Sequence, residues 1–111
     1  MSENDLQIAV ADYLDAKQLL WFHTPNEGKM TPQYGKKRKR MGVKAGVPDI
    51  MIFQSPPAGI HVGVALELKV GKNRPTAAQD EWLDNLTSNG WFCAVCTGLD
   101  ETMKTLNWLG W

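Results

Sequence analysis

Several things are missing from this chain of 111 residues. No run approaches the ~18 consecutive apolar residues that a membrane-spanning helix needs, and the N-terminus has no apolar block of the signal-peptide kind. A membrane partner is therefore not expected, and the expected location is intracellular: the cytoplasm, or the host cytoplasm for a viral chain. No internal repeat, phosphate-loop glycine pattern, Ser/His/Asp order or zinc-finger spacing appears. Cysteine is scarce, with Cys93 and Cys96 the only two. Three residues apart in the apolar run Trp91 to Thr97, they face opposite ways on a strand and cannot readily join. A redox or zinc role for Cys-x-x-Cys needs a helix N-terminus or a second ligand pair, and neither is present, so both are expected in the core. The length suits a single domain over residues 1–111 with one core.

Net charge is also missing, since twelve basic residues balance twelve acidic ones. Taken whole, that argues against a polyanionic partner. The distribution argues the other way. Residues 1–28 hold one Lys and five acids, and residues 75–111 again hold one Lys and five acids. Residues 29–74 hold ten Lys and Arg and only two acids, Asp49 and Glu67. Two like charges placed together persist only if a cation or a proton compensates them. A bound divalent metal ion meets that need, and the basic surroundings are available to a polyanion.

The two acids belong to the clearest local pattern in the chain. From Ile60 to Val70 the residues alternate, with Ile60, Val62, Val64, Leu66, Leu68 and Val70 on one side and His61, Gly63, Ala65, Glu67 and Lys69 on the other. This predicts a strand whose apolar side packs on a core and whose other side presents Glu67 beside Lys69. Asp49 to Phe53 reads as a second strand, turned back by the loop Gln54 to Gly59. In an antiparallel pair with Ile50 and Ile52 facing the core, Asp49 shares the face of Glu67, with Glu67 or Ala65 opposite it. Two carboxylates and an ammonium then converge.

In chain order, Ser2 caps a helix that has an acid at Asp5 and carries Leu6, Ala9, Val10, Tyr13 and Leu14 at helical spacing to about Lys17. Glu3 lies in its first turn, where it either complements the helix dipole or serves the site. Leu19 to Thr24 is a short strand, and its His23 is expected to be structural, its ring satisfied by backbone groups. Pro25 to Gly46 lacks apolar periodicity and reads as a long basic loop or a β-ribbon, its charged part spanning about 27–46. Its run Lys36-Lys37-Arg38-Lys39-Arg40, inside a compact domain and just before the carboxylate strand, is expected to contact phosphates, joined by Lys44, Lys72 and Arg74. Asn26-Glu27-Gly28 is either a simple turn or a place where Glu27 screens the basic run. Thr76 to Gln79 forms a capping box that by itself explains Gln79. The helix it opens turns Trp82, Leu83 and Leu86 inward and ends at Asn89-Gly90. Trp91 to Thr97 follows as a strand parallel to the one before it. A last helix starts near Asp100, and Trp91, Trp108 and Trp111 leave aromatic surface that suits a subunit interface.

Pro48-Asp49 followed across a hairpin by Glu67-Leu68-Lys69 resembles the PD-(D/E)XK nuclease core. The surrounding residues, Glu3 ahead of Leu6-Gln7, Gly46-Val47-Pro48-Asp49 and Gln79 at a helix start, resemble its VRR-NUC branch. The likeness runs from Glu3 to the last strand. Where that branch has Pro immediately before its acidic-Gln pair, this chain has Thr76-Ala77-Ala78-Gln79 after Pro75. The resemblance implies an α/β fold, a mixed central sheet flanked by helices in the order α-β-β-β-α-β-α. It also implies Mg²⁺- or Mn²⁺-dependent cleavage of DNA. On that pattern Asp49, Glu67 and the backbone carbonyl of Leu68 hold the metal, Lys69 orients or deprotonates water, and Glu3 and Gln79 complete the shell, with Asn26 a weaker candidate. Standalone members resemble dimeric junction resolvases, which implies a homodimer and selectivity for branched, flap or junction DNA. The competing expectation is a binding module that keeps the basic surface without cutting. A phosphatase of small substrates fits less well, because a mononucleotide has no use for so broad a basic segment.

Overall fold

The computed structural model describes residues 1–25 and 31–111, so the expectations for Asn26 and Glu27 lie outside the described residues. Four strands, β1 (Trp21–His23), β2 (Ile50–Ile52), β3 (Val64–Lys69) and β4 (Phe92–Thr97), form one sheet in that order. β1, β2 and β3 pair antiparallel, and β4 joins β3 in parallel after a helical crossover. The sheet is mixed and flanked by helices, as expected: α1 (Glu3–Ala16), α3 (Ala77–Ser88) and α4 (Gly98–Leu109) take the expected places, and a further helix, α2 (Pro32–Arg40), enters between β1 and β2.

One face of the sheet carries the core. Ile50, Ile52, Val64, Leu66, Leu68 and Cys96 meet Leu6, Val10 and Leu14 of α1 and Leu106 and Leu109 of α4, all buried. The i, i+4, i+8 spacing of the three α1 residues lays them in one stripe along that face. α1 is capped as expected, with Ser2 Oγ accepting from the Asp5 amide and the Asp5 carboxylate accepting from the Ser2 amide. α3 covers the opposite face of β3 and β4. Cys93 therefore sits on the α3 side while Cys96 is in the core, and both are free.

Two expectations are corrected. The strand beginning at Ile60 starts only at Val64: β2 has ended at Ile52, so residues 60–63 have no strand to pair with on that side, and Ile60 is 97% exposed. At Gly63 the Trp91 ring lies where a side chain would stand, 2.6 Å from an added Cβ, so the glycine makes room for the tryptophan. The second correction concerns the basic stretch, expected as loop or ribbon. Thr31 Oγ1 accepts from the Tyr34 amide as N-cap, Pro32 takes the first turn, and Lys37 to Arg40 occupy the last turn, where cations suit the helix dipole. No residue of α2 is buried, which is why apolar periodicity gave no sign of it. The tryptophans are largely absorbed: Trp91 lies on Gly63 and Trp111 packs against the core, leaving Trp108 at 68% exposure.

Candidate active site

Ile50 pairs with Leu66, and one step further the register brings Asp49 opposite Glu67. The backbone of Asp49 is fixed from the β1 side: its carbonyl accepts from the Thr24 amide and from His23 Nδ1, each at 2.9 Å. A carbonyl only accepts, so Nδ1 carries the proton, and His23 is the structural residue expected of it. The Asp49 side chain turns the other way, its Oδ2 accepting from the Leu68 amide at 2.8 Å.

That bond marks where the ladder ends. Because the Asp49 carbonyl points to β1, the backbone groups of Ile50 point to β3, and those of Leu66 and Leu68 point back toward β2. The residue opposite Leu68 in this register is Pro48, which has no N–H to give. The Leu68 carbonyl therefore gains no ladder donor from β2, while the Leu68 amide is taken by Asp49. Pro-Asp at the start of β2 is thus a device that closes the sheet on one side and leaves an oxygen acceptor beside two carboxylates.

Glu67 carries the unusual electrostatics. It is 1% exposed, and neither of its carboxylate oxygens has a hydrogen-bond partner. Lys69 Nζ stands 3.6 Å from Oε2, too far for a hydrogen bond but close enough for an ion pair. Burial, reinforced by the charge of Asp49 and only partly offset by Lys69, pushes the Glu67 carboxyl up to about 7. A buried carboxylate with both oxygens unsatisfied is a costly arrangement in a core and a suitable one for holding a cation.

Beside this group lies a cleft of about 540 Å³. Asp49, Val47, Gly46 and Gln79 form one part of its lining, Thr24 and Pro25 another, and Lys36, Arg38, Lys39 and Lys44 supply its charge. Gly46 adopts a positive φ of 85°, and a Cβ there would stand 2.6 Å from the backbone carbon of Ala78. The Gly46–Asp49 loop therefore seats against the first turn of α3 only because residue 46 lacks a side chain. Gln79 reaches the cleft, yet its Oε1 accepts from the Thr76 amide in the capping box, which is completed by Gln79 N–H to Thr76 Oγ1.

The model of the VRR-NUC domain matches residues 1–100. The chain belongs to the VRR-NUC domain family. A solved structure described as a VRR_NUC domain protein superposes with a TM-score of 0.82 at 26% identity, covering 98% of this chain and 88% of its own. No curated protein matches the chain.

Within this VRR-NUC domain the expected site residues divide. Asp49, Glu67, Lys69 and the Leu68 carbonyl come together at the end of β3, and Gln79 joins Asp49 at the cleft. Glu3 does not join them: it is exposed on α1, whose buried stripe packs on the other face of the sheet. Among the described residues no group of three or more His, Cys, Asp and Glu side chains converges. Of the basic residues, Lys36, Arg38, Lys39 and Lys44 line the cleft, whereas Lys37, Arg40, Lys72 and Arg74 do not. One contributor was not singled out in the sequence: Thr24 fixes Asp49 through a backbone amide, which leaves no trace in residue type. Pro48, already marked by the Pro-Asp motif, matters for the hydrogen it lacks. The donors at the end of β3 are all oxygen, two carboxylates and a carbonyl, a set that suits a hard divalent ion retaining several waters.

Proposed function

We propose that this VRR-NUC chain is a divalent-metal-dependent endonuclease that hydrolyses DNA phosphodiester bonds. The observation that carries the proposal is Glu67, buried with neither oxygen in a hydrogen bond, opposite Asp49 and ion-paired to Lys69 at 3.6 Å. A structural salt bridge would hold its oxygens in hydrogen bonds; these are left for something else. Mg²⁺ or Mn²⁺, when bound, would supply Lewis-acid polarisation of a phosphate and a water of lowered pKa.

The chain's own residues have distinct tasks. Asp49, Glu67 and the Leu68 carbonyl hold the ion, and Leu68 N–H fixes the Asp49 carboxylate in turn. Lys69 presents its ammonium from the same face of β3, two residues along, where it offsets charge building on the attacked phosphate and orients the water. Lys36, Arg38, Lys39 and Lys44 meet the DNA backbone across the cleft, contacts that place a duplex without reading its sequence. Selectivity for branched or flap DNA and assembly as a homodimer, with the exposed Trp108 available for contact, belong to the same proposal.

A second reading is favoured by one observation, the absence of a third acidic side chain beside Asp49 and Glu67 among the described residues: a module that binds nucleic acid and does not cut. Incubation with single-stranded, duplex, flap and four-way DNA in Mg²⁺, Mn²⁺ or EDTA decides. Cleavage that needs the metal and disappears in Asp49→Asn, with binding retained, supports the nuclease. Cleavage that persists in EDTA removes the metal mechanism, and binding without cleavage under every condition leaves the module.

A further inference from the structure

The face of the sheet that carries Asp49 and Glu67 is not covered along its whole length. α3 lies over β3 and β4, and the part formed by β1 and β2 presents aromatic rings. Phe22 is opposite Met51, and the Phe53 amide continues the ladder by donating to Leu20, so both rings stand on the Asp49 side of the sheet. Phe22 stacks on Phe53 with centroids 5.7 Å apart and planes at 24°, and Phe53 meets the edge of Trp91 at 5.9 Å and 88°. Trp91 is held in place over Gly63. Phe22 is 45% exposed and Phe53 47%. Two stacked phenyl rings on a rigid sheet, half open to solvent and backed by a fixed indole, are more than the packing of the core requires, since the core lies on the other face.

Asp49, Met51 and Phe53 alternate along one strand direction, so at ~3.3 Å per residue the aromatic row begins about 7 Å from Asp49, at Phe22 opposite Met51, and ends about 13 Å from it at Phe53. At roughly 3.4 Å per phosphate, that is about four stacked nucleotides, and fewer if the strand is drawn out. The other end of the same face opens into the cleft walled by Lys36, Lys39 and Lys44. Cations at one end suit a phosphate chain, and exposed ring faces at the other suit bases that have left a duplex, since every base offers a π-face for stacking.

We infer that Phe22, Phe53 and Trp91 form a stacking platform for unpaired bases of the nucleic acid strand whose backbone lies in the basic cleft. The inference rests on the nuclease reading for the position of the cleaved bond, which falls at the carboxylate end of the row, and it assigns the substrate class: DNA with a single-stranded segment leaving the site along β2.

The test measures binding by fluorescence anisotropy in EDTA, with a labelled oligothymidylate and a blunt duplex of equal length. The native chain and the variants Phe22→Leu, Phe53→Leu and their combination are compared. Leucine keeps apolar volume and removes the ring, and circular dichroism confirms that each variant is folded. The double variant is expected to lose about tenfold in affinity for the oligothymidylate, the scale of one base stack, while its duplex affinity stays within about twofold. Phe22→Trp is expected to bind the single strand at least as tightly as the native chain. Equal losses on both ligands, or none on the single strand, overturn the platform. A native dimer that dissociates in the double variant also overturns it, because the row is then an interface between copies. Mg²⁺-dependent nicking by the native chain is scored separately: its absence sinks the nuclease reading while single-strand binding by the aromatic row is still measured.

Discussion

The end of β3 and the helix α2 treat charge in opposite ways. At the end of β3, Glu67 and Lys69 are buried, the carboxylate without a hydrogen bond, and the register leaves no choice about which face they share. On α2, Lys36 to Arg40 follow one another with no buried residue, and the helix stands on its cap, its first-turn proline and its dipole. The first region stores electrostatic free energy that an arriving cation can relieve. The second stores little, because water and salt screen the repulsion among its exposed cations, and it offers an attraction that is screened in the same way. Chemistry is therefore expected to depend on the few groups the fold holds in place at the end of β3, and affinity on the many that the helix leaves in water.

The sharpest break in that contrast comes from β3 and its partner strand. Asp49→Asn and Lys69→Ala are each expected to lower Mg²⁺-dependent nicking by about 10²- to 10⁴-fold while DNA affinity in EDTA changes by less than threefold, a separation that gel-based nicking and anisotropy resolve. If both quantities fall together, charge in the two regions is not divided between tasks. A smaller effect, of about 2 to 3 kcal/mol, is expected from Gly46→Ala. The added methyl meets the Ala78 backbone and the positive φ no longer suits the residue, so the Val47–Asp49 segment must move. Urea unfolding gives the loss of stability, and nicking should fall with it because Asp49 is carried on that segment.

The pH dependence of stability separates the regions in another way. The Glu67 carboxyl is raised to about 7 in the fold from an ordinary 4.5. Between those values the unfolded chain ionises Glu67 and the folded chain does not, so its contribution is fully present below about 4.5 and lost as pH rises through 7. Glu67→Gln should remove this part of the decline, on the order of 2 kcal/mol across the window, as read from denaturant midpoints at pH 4.5 and 8. Mg²⁺ should stabilise the native chain at pH 8 more than at pH 6, since protons compete for the same oxygens, and should stabilise Glu67→Gln less.

How far the sequence reveals this molecule follows from the same contrast. That Asp49 shares the face of Glu67 is legible because Ile50, Ile52, Val64 and Leu66 must all face one core, and a period of two then dictates the face. Which of Glu67 and Ala65 lies opposite Asp49 is fixed only by the register, in which Ile50 pairs with Leu66. The capping boxes at Ser2 and Thr76 are legible because they join fixed residue types at a fixed spacing. α2 is not, since it buries nothing and its only signal is Thr31-Pro32 before a run of cations. The early end of β3's extended pattern is hidden too: Ile60 and Val62 keep the alternation, but a strand needs a partner, and β2 stops at Ile52. Glu3 shows the limit for the site. Its place in a first turn is evident, yet the face of the sheet on which that helix packs is decided by Leu6, Val10 and Leu14 against the core, far along the chain from Asp49.

The smallest expected effect concerns α2 alone. Lys36 and Lys39 are one turn apart and both line the cleft, so a phosphate chain lying there meets them together. If each displaces one condensed counterion, replacing both with alanine should lower the slope of log Kd against log salt by about two. Lys37→Ala with Arg40→Ala, one turn apart and absent from the cleft lining, should change the slope by less than one. Alanine gains a little helix propensity at either pair but gives up last-turn cations that suit the dipole, so far-UV circular dichroism of both pairs checks that a loss of affinity does not come from unwinding α2. Equal slopes for the two pairs would mean that the helix acts as a diffuse cloud of charge, and that the cleft does not set the path of the DNA.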